Sequence, residues 1–214
     1  GLVGASLVMG APASAMDTVN GTGGNDVLRG TPFRDTIRGF GGNDVVHALA
    51  GPDLTFGGSG SDVVYAGRGD DTIRGGTKRD SLFGGQGADT IFGGAGNELE
   101  GIFAGAGSDV TFGGVGRDFI DGGNGADAVF GGAGGDILVD GPGADTIYGG
   151  LRGDGIFLER DGSPDTVTCG PGQDEVWGAT SENTVAADCE KVHVHLPHER
   201  GLPASLVRTA HLSE

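Results

Sequence analysis

Large aliphatic side chains return along this chain at a fixed interval: Leu28, Ile37, Val46, Val64, Ile73, Leu82, Ile91, Ile120, Val129, Leu138, Ile147, Ile156, Val167 and Val176. Thr55, Glu100 and Thr111 interrupt the series. Neither a helical period of 3.6 nor a long alternation of apolar and polar residues fits this spacing. Each aliphatic sits in a short stretch of β-branched or aromatic residues, such as VVY at 63 to 65, TIF at 90 to 92 and TIY at 146 to 148. These stretches predict three-residue strands with the middle side chain pointing inward and its neighbours outward. Between them lie glycine-rich hexads, GGSGSD at 57 to 62, GGQGAD at 84 to 89, GGVGRD at 113 to 118, GGNGAD at 122 to 127 and GGAGGD at 131 to 136, which predict tight turns.

The acids keep the same count. Asp26, Asp35, Asp44, Asp53, Asp62, Asp71, Asp80, Asp89 and Glu98 are each nine residues apart. After a slip of two the series runs Asp109, Asp118, Asp127, Asp136, Asp145 and Asp154, and after a second slip it ends at Asp165 and Asp174. With 30 acidic against 13 basic residues, the formal net charge is −17. That charge repels nucleic acid and anionic lipid and favours cations. A merely solubilising surface has no reason to hold acids in phase.

The frame resembles the RTX, or haemolysin-type, nonapeptide G-G-x-G-x-D-x-U-x, with U a large aliphatic, over residues 21 to about 177. The resemblance implies an all-β parallel β-roll (β-solenoid) with two units, or 18 residues, per coil. It also implies Ca2+ ions held between successive turns by repeat aspartates and turn carbonyls. Two acid columns follow: Asp35, Asp53, Asp71, Asp89, Asp109, Asp127, Asp145 and Asp165, and opposite them Asp26, Asp44, Asp62, Asp80, Glu98, Asp118, Asp136, Asp154 and Asp174. The expected calcium ligands are Asp26, Asp44, Asp62, Asp71, Asp89, Asp109, Asp118, Asp127, Asp136, Asp145 and Asp154. A hard ion taking six to eight oxygens suits carboxylates and bare glycine-turn carbonyls. Carboxylates stacked at the strand spacing repel by about 0.9 kcal/mol per pair even in water. Folding is therefore expected to depend on the metal. The turns GTPFRD at 30 to 35, ALAGPD at 48 to 53 and GGTKRD at 75 to 80 depart from the glycine pattern, and Arg34, Lys78 and Arg79 oppose a cation. The best-formed stretch is 84 to 145.

Four segments are expected. Residues 1 to 15 read as a signal peptide, with Ala13 and Ala15 at the −3 and −1 positions of a cleavage site. Residues 16 to 164 form the roll, 165 to 192 a C-terminal repeat and cap, and 193 to 214 a flexible tail. In an exported chain the pair Cys169 and Cys189 is expected to form a disulfide linking that cap. No run of 18 apolar residues is present to span a bilayer.

Two features lie outside the frame. His193, His195 and His198 form H-x-H-x-x-H, a transition-metal site or ordinary solvent-facing histidines. Phe92, Phe112, Phe130 and Tyr148 share one strand position and predict an outward aromatic ladder, serving strand packing or binding glycans or a partner protein. The column Thr36, Leu54, Thr72 and Thr90 is too interrupted for an ice-binding face. No nucleophile, zinc or phosphate-loop motif occurs, so the expected role is extracellular and non-enzymatic: a calcium-binding module with a structural role or a cell-surface or matrix partner. The rival reading is the calcium-binding part of a larger secreted protease or lipase.

Overall fold

In the computed structural model, residues 6–9, 17–96 and 100–194 are described, the first four and Glu100 through their backbone alone. Among these residues the chain winds into two parallel sheets of 11 and 10 strands. Successive strands alternate between the sheets, and each strand pairs with the one two places on in sequence. In the first sheet Val45–Ala50 pairs with Val63–Arg68, which pairs with Ser81–Gln86. In the second, Leu54–Ser59, Thr72–Thr77 and Thr90–Ala95 follow one another in the same way. Pairing of Val46 with Val64 and of Ile73 with Ile91 sets the coil at 18 residues. This is the expected parallel β-roll, and among the described residues no helix is present.

Many strands are longer than the expected three residues. Nine of the 21 among the described residues run for six, because the two glycines that open the next unit stay in the strand and the second keeps pairing, as Gly76 does with Gly94 and Gly85 with Gly105. A unit therefore buries two positions, the aliphatic two residues after the acid and the small residue four after it. Leu28, Ile37, Ile91, Val129 and Ile147 line the interior at 1% exposure or less, with Ala48, Ala66 and Ala104 on the second inward position. Glycine holds that position in most units, where the backbone of the next coil passes close by. A Cβ on Gly131 would fall 2.5 Å from the carbonyl oxygen of Gly149.

The interruptions resolve differently. Thr55 and Thr111 do occupy the aliphatic position and are buried among isoleucines and valine. Glu100 does not: Ile102 pairs with Leu82 and Ile120, while Glu100 is in register with Asp118. The two extra residues of the first slip thus precede Glu100, and Glu100, not Glu98, holds the repeat position; Glu98 lies outside the described residues. The second slip falls between Asp154 and Asp165, where Ile147 pairs with Val167 twenty residues on.

The segment 165–192 continues both sheets through shorter strands, Thr166–Thr168, Glu175–Trp177, Thr184–Val185 and Lys191–His193. Cys169 and Cys189 are joined by a disulfide, so the expected linkage of this end is present. At the other end the backbone of Ser6–Met9 adds a strand in register with Asp26–Arg29. No helix among the described residues is long and apolar enough to cross a membrane.

Candidate metal centre

Each turn brings its repeat acid to the edge of the interior, just before the strand that follows. The aspartates among the described residues stack in two columns as expected, and in the second the backbone of Glu100 holds the register expected of Glu98. Asp71, Asp89, Asp109, Asp127 and Asp145 fall in one column, and Asp26, Asp44, Asp62, Asp118, Asp136 and Asp154 in the other. Asp35, Asp53, Asp80, Asp165 and Asp174 are placed equivalently, and all sixteen are 3% exposed or less.

The two oxygens of each carboxylate have different surroundings. Except in Asp26 and Asp118, whose Oδ1 has no donor among the described residues, Oδ1 accepts a hydrogen bond from the backbone N–H of the acid one coil earlier. Asp44 accepts from Asp26 at 2.8 Å, Asp89 from Asp71 at 2.8 Å, Asp127 from Asp109 at 2.8 Å and Asp154 from Asp136 at 2.8 Å. The lengthened coils keep this bond, with Asp109 accepting from Asp89 at 2.7 Å and Asp165 from Asp145 at 3.1 Å. Glu190 closes the second column by accepting from Asp174, a role its place outside the frame concealed.

Oδ2 is left over. In Asp44, Asp53, Asp62, Asp71, Asp80, Asp89, Asp109, Asp118, Asp127, Asp136, Asp145, Asp154 and Asp174 it is buried and no group among the described residues donates to it. An unmet buried acceptor costs about 1–3 kcal/mol, more when charged. Protein donors meet it only near the ends. Thr22 supplies its N–H at 2.6 Å and its hydroxyl at 2.8 Å to Asp26, and Thr31 does the same for Asp35 at 2.6 and 3.0 Å. At the far end Asn183 donates to Asp165 at 2.6 Å. The orphaned Oδ2 atoms therefore run along each column as far as Asp145 and Asp174, with side-chain donors standing in at Asp26, Asp35 and Asp165.

Electrostatics agree. Burial, partly offset by the backbone N–H donor and reinforced by neighbouring aspartates, raises Asp53 to about 8. The same balance raises Asp89, Asp127 and Asp154 to about 7. Asp118 is raised to about 7 by burial and Asp136. These stacks hold negative charge poorly by themselves, which is what a cation bridging two coils corrects. The donor set is oxygen only, and the residues present fit calcium.

The departing turns keep their acids in line. Asp53 and Asp80 have the same burial and orphaned Oδ2 as Asp127. Their irregularity lies in the backbone: Leu49 and Lys78 take φ values of 91° and 76° where other units place glycine, as Phe40 and Arg152 do, at 73° and 85°, in the hexads that end at Asp44 and Asp154. Lys78 also acts on Asp62, drawing its pKa down against the dominant effect of burial.

Phe92, Phe112, Phe130 and Tyr148 form the expected ladder, with centroids 4.8–5.0 Å apart and planes within 11°. A second ladder, His47, Tyr65, Phe83 and Phe103, runs along the first sheet with similar spacing. Arg38 and Arg74 interleave with Phe56 and Phe92. Each inner ring covers its neighbours' faces, an arrangement that packs adjacent strands together. His193 stacks on Trp177 at 3.7 Å, while His195 and His198 lie outside the described residues.

A family model describing the RTX calcium-binding nonapeptide repeat, in four copies, matches residues 20–55, 56–77, 65–97, 103–138 and 130–151. No curated protein matches the chain.

Proposed function

The chain belongs to the family of RTX calcium-binding nonapeptide repeats, with calcium binding in a structural role, and we propose that it is an extracellular module whose β-roll folds when calcium binds. The observation that carries this reading is the row of buried Oδ2 atoms without a donor in both acid columns. Asp71, Asp89, Asp109, Asp127 and Asp145 on one side, with Asp44, Asp62, Asp118, Asp136 and Asp154 on the other, are the proposed ligands. Turn carbonyls complete their coordination. Asp26 differs from the other ten expected ligands in that Thr22 donates twice to its Oδ2, so that its Oδ1 is the buried oxygen without a donor among the described residues.

Bound calcium supplies the positive charge that lets these stacked carboxylates ionise together. The chain's part is to hold Oδ1 in the backbone ladder so that Oδ2 lies over its own glycine turn already oriented. Without that charge the columns oppose the ordering of a glycine-rich chain, and binding energy becomes folding energy. The Cys169–Cys189 bridge and the signal-like residues 1 to 15 support an oxidising, extracellular setting.

Circular dichroism and hydrodynamic radius, followed while calcium is titrated into chelated protein, test the reading. A transition from an expanded chain to a compact β-structure at about 10⁻⁴–10⁻³ M is expected, with magnesium a poor substitute. Identical spectra and radii in chelator and in millimolar calcium would rule out coupled folding.

A further inference from the structure

Asp140 stands outside the period of nine. It occupies the first position of the hexad DGPGAD, where the earlier units carry glycine or alanine against the neighbouring coil. Its side chain points into the roll and is 1% exposed. One carboxylate oxygen from each of Asp140, Asp145 and Asp165 lies within 4.8 Å of those from the other two, and all three residues are buried.

The surroundings are built for this departure. The coil stacked on Asp140 is one of the two lengthened by two residues, and its extra turn supplies the N–H of Glu159, which donates to Asp140 Oδ1 at 2.8 Å. The N–H of Gly141 donates to the same oxygen at 2.6 Å. Asp161, from that extra turn, accepts the N–H of Gly143 at 2.7 Å and so lies over the same hexad. Asn183 orients Asp165 through its Oδ2. With these bonds made, Oδ2 of Asp140 and Oδ2 of Asp145 are still buried without a donor among the described residues.

We propose that Asp140, Asp145 and Asp165 form a calcium site that no other turn among the described residues reproduces, and that it holds its ion more tightly than the repeat sites do. The inference rests on the calcium-binding reading of the repeats and adds a ligand that the repeat does not supply. A repeat site draws its carboxylates from the acid columns alone; here a third enters from the first position of the hexad. More carboxylates and a more rigid cage raise calcium affinity. A coil elongated at this one place gives the larger side chain its room.

Calorimetric titration of the full chain with calcium chloride tests the assignment, using wild type, Asp140→Asn, Asp140→Gly and Asp53→Asn. Asp140→Gly returns the residue type of the other units and is the safer variant for folding, which circular dichroism in saturating calcium checks for all four. Wild type should show a tight class of ions. Both Asp140 variants should lose that class or weaken it by about tenfold or more, whereas Asp53→Asn should leave it in place. Unchanged ion number and unchanged tightest affinity in both Asp140 variants would overturn the site while leaving the repeat reading intact. A wild type that binds no calcium would overturn both.

Discussion

Asp127 gives one carboxylate oxygen to the backbone N–H of Asp109, at 2.8 Å, and keeps the other buried with no donor among the described residues. The structural and ionic roles are thus divided between two atoms of one side chain, and substitutions can separate them. Asp127→Asn keeps an acceptor for Asp109 but loses the charge, so calcium affinity should fall while the calcium-saturated fold survives. Asp127→Ala also strands the Asp109 N–H, at a further cost of about 1–3 kcal/mol. Urea unfolding in saturating calcium, set beside calcium titration, should show alanine worse than asparagine in the first and similar in the second. Equal unfolding midpoints would mean that the Oδ1 bond contributes nothing. Asp53→Ala should reduce calcium affinity less, because its hexad already replaces glycines with Ala48 and Leu49.

Much of this arrangement was readable from the period alone. Phased aspartates and the aliphatics two residues later dictate a roll, since only a coil of two units places Val46 on Val64 and Ile73 on Ile91. The count failed where it relied on residue type. Glu98 has the right spacing from Asp89, yet Ile102 must enter the core, and that demand moves the insertion ahead of Glu100. Strand length was underestimated because glycine reads as turn, although Gly76 and Gly85 remain in the ladders. Asp140 and Glu190 were hidden because their roles come from neighbours in adjacent coils, which a period along one chain does not display.

The Cys169–Cys189 bridge closes 20 residues where the strands have shortened to two or three. Its removal should destabilise the C-terminal coils by about 3 kcal/mol through chain entropy. A paired Cys169→Ala and Cys189→Ala variant should lose protection from proteolysis after about residue 165 while 84–145 remains protected in calcium. Uniform loss of protection along the roll would show that this end is not an independent weak point.

Lys78 occupies a glycine position with φ of 76° and places positive charge near Asp62. Left-handed backbone costs a residue with a Cβ about 1–2 kcal/mol, partly offset by glycine's greater freedom when unfolded. Lys78→Gly should therefore stabilise the calcium-bound roll slightly and lower the calcium concentration needed to fold it, because the competing cation is gone. A higher calcium midpoint in this variant would mean that Lys78 supports the column by neutralising Asp62.

Protons and calcium should act on the same oxygens with opposite consequences. In the calcium-free roll, burial raises Asp53 to about 8, Asp80, Asp89 and Asp127 to about 7 and Asp62 to about 6, from an ordinary value of 3.8. Between about pH 4 and 8 the folded state consequently binds more protons than the unfolded chain, and its stability falls as pH rises. The contribution is complete below the unfolded value and is lost as pH passes through the folded ones. Chelated protein should thus be more ordered at pH 5 than at pH 8. Calcium needs the ionised carboxylates, so its folding midpoint should move to higher concentration at pH 5.5 than at pH 7.5. Circular dichroism across both titrations provides the check: a calcium-free spectrum unchanged between pH 4.5 and 8, together with a calcium midpoint that ignores pH, would show that the buried Oδ2 rows are not where the ions and protons compete.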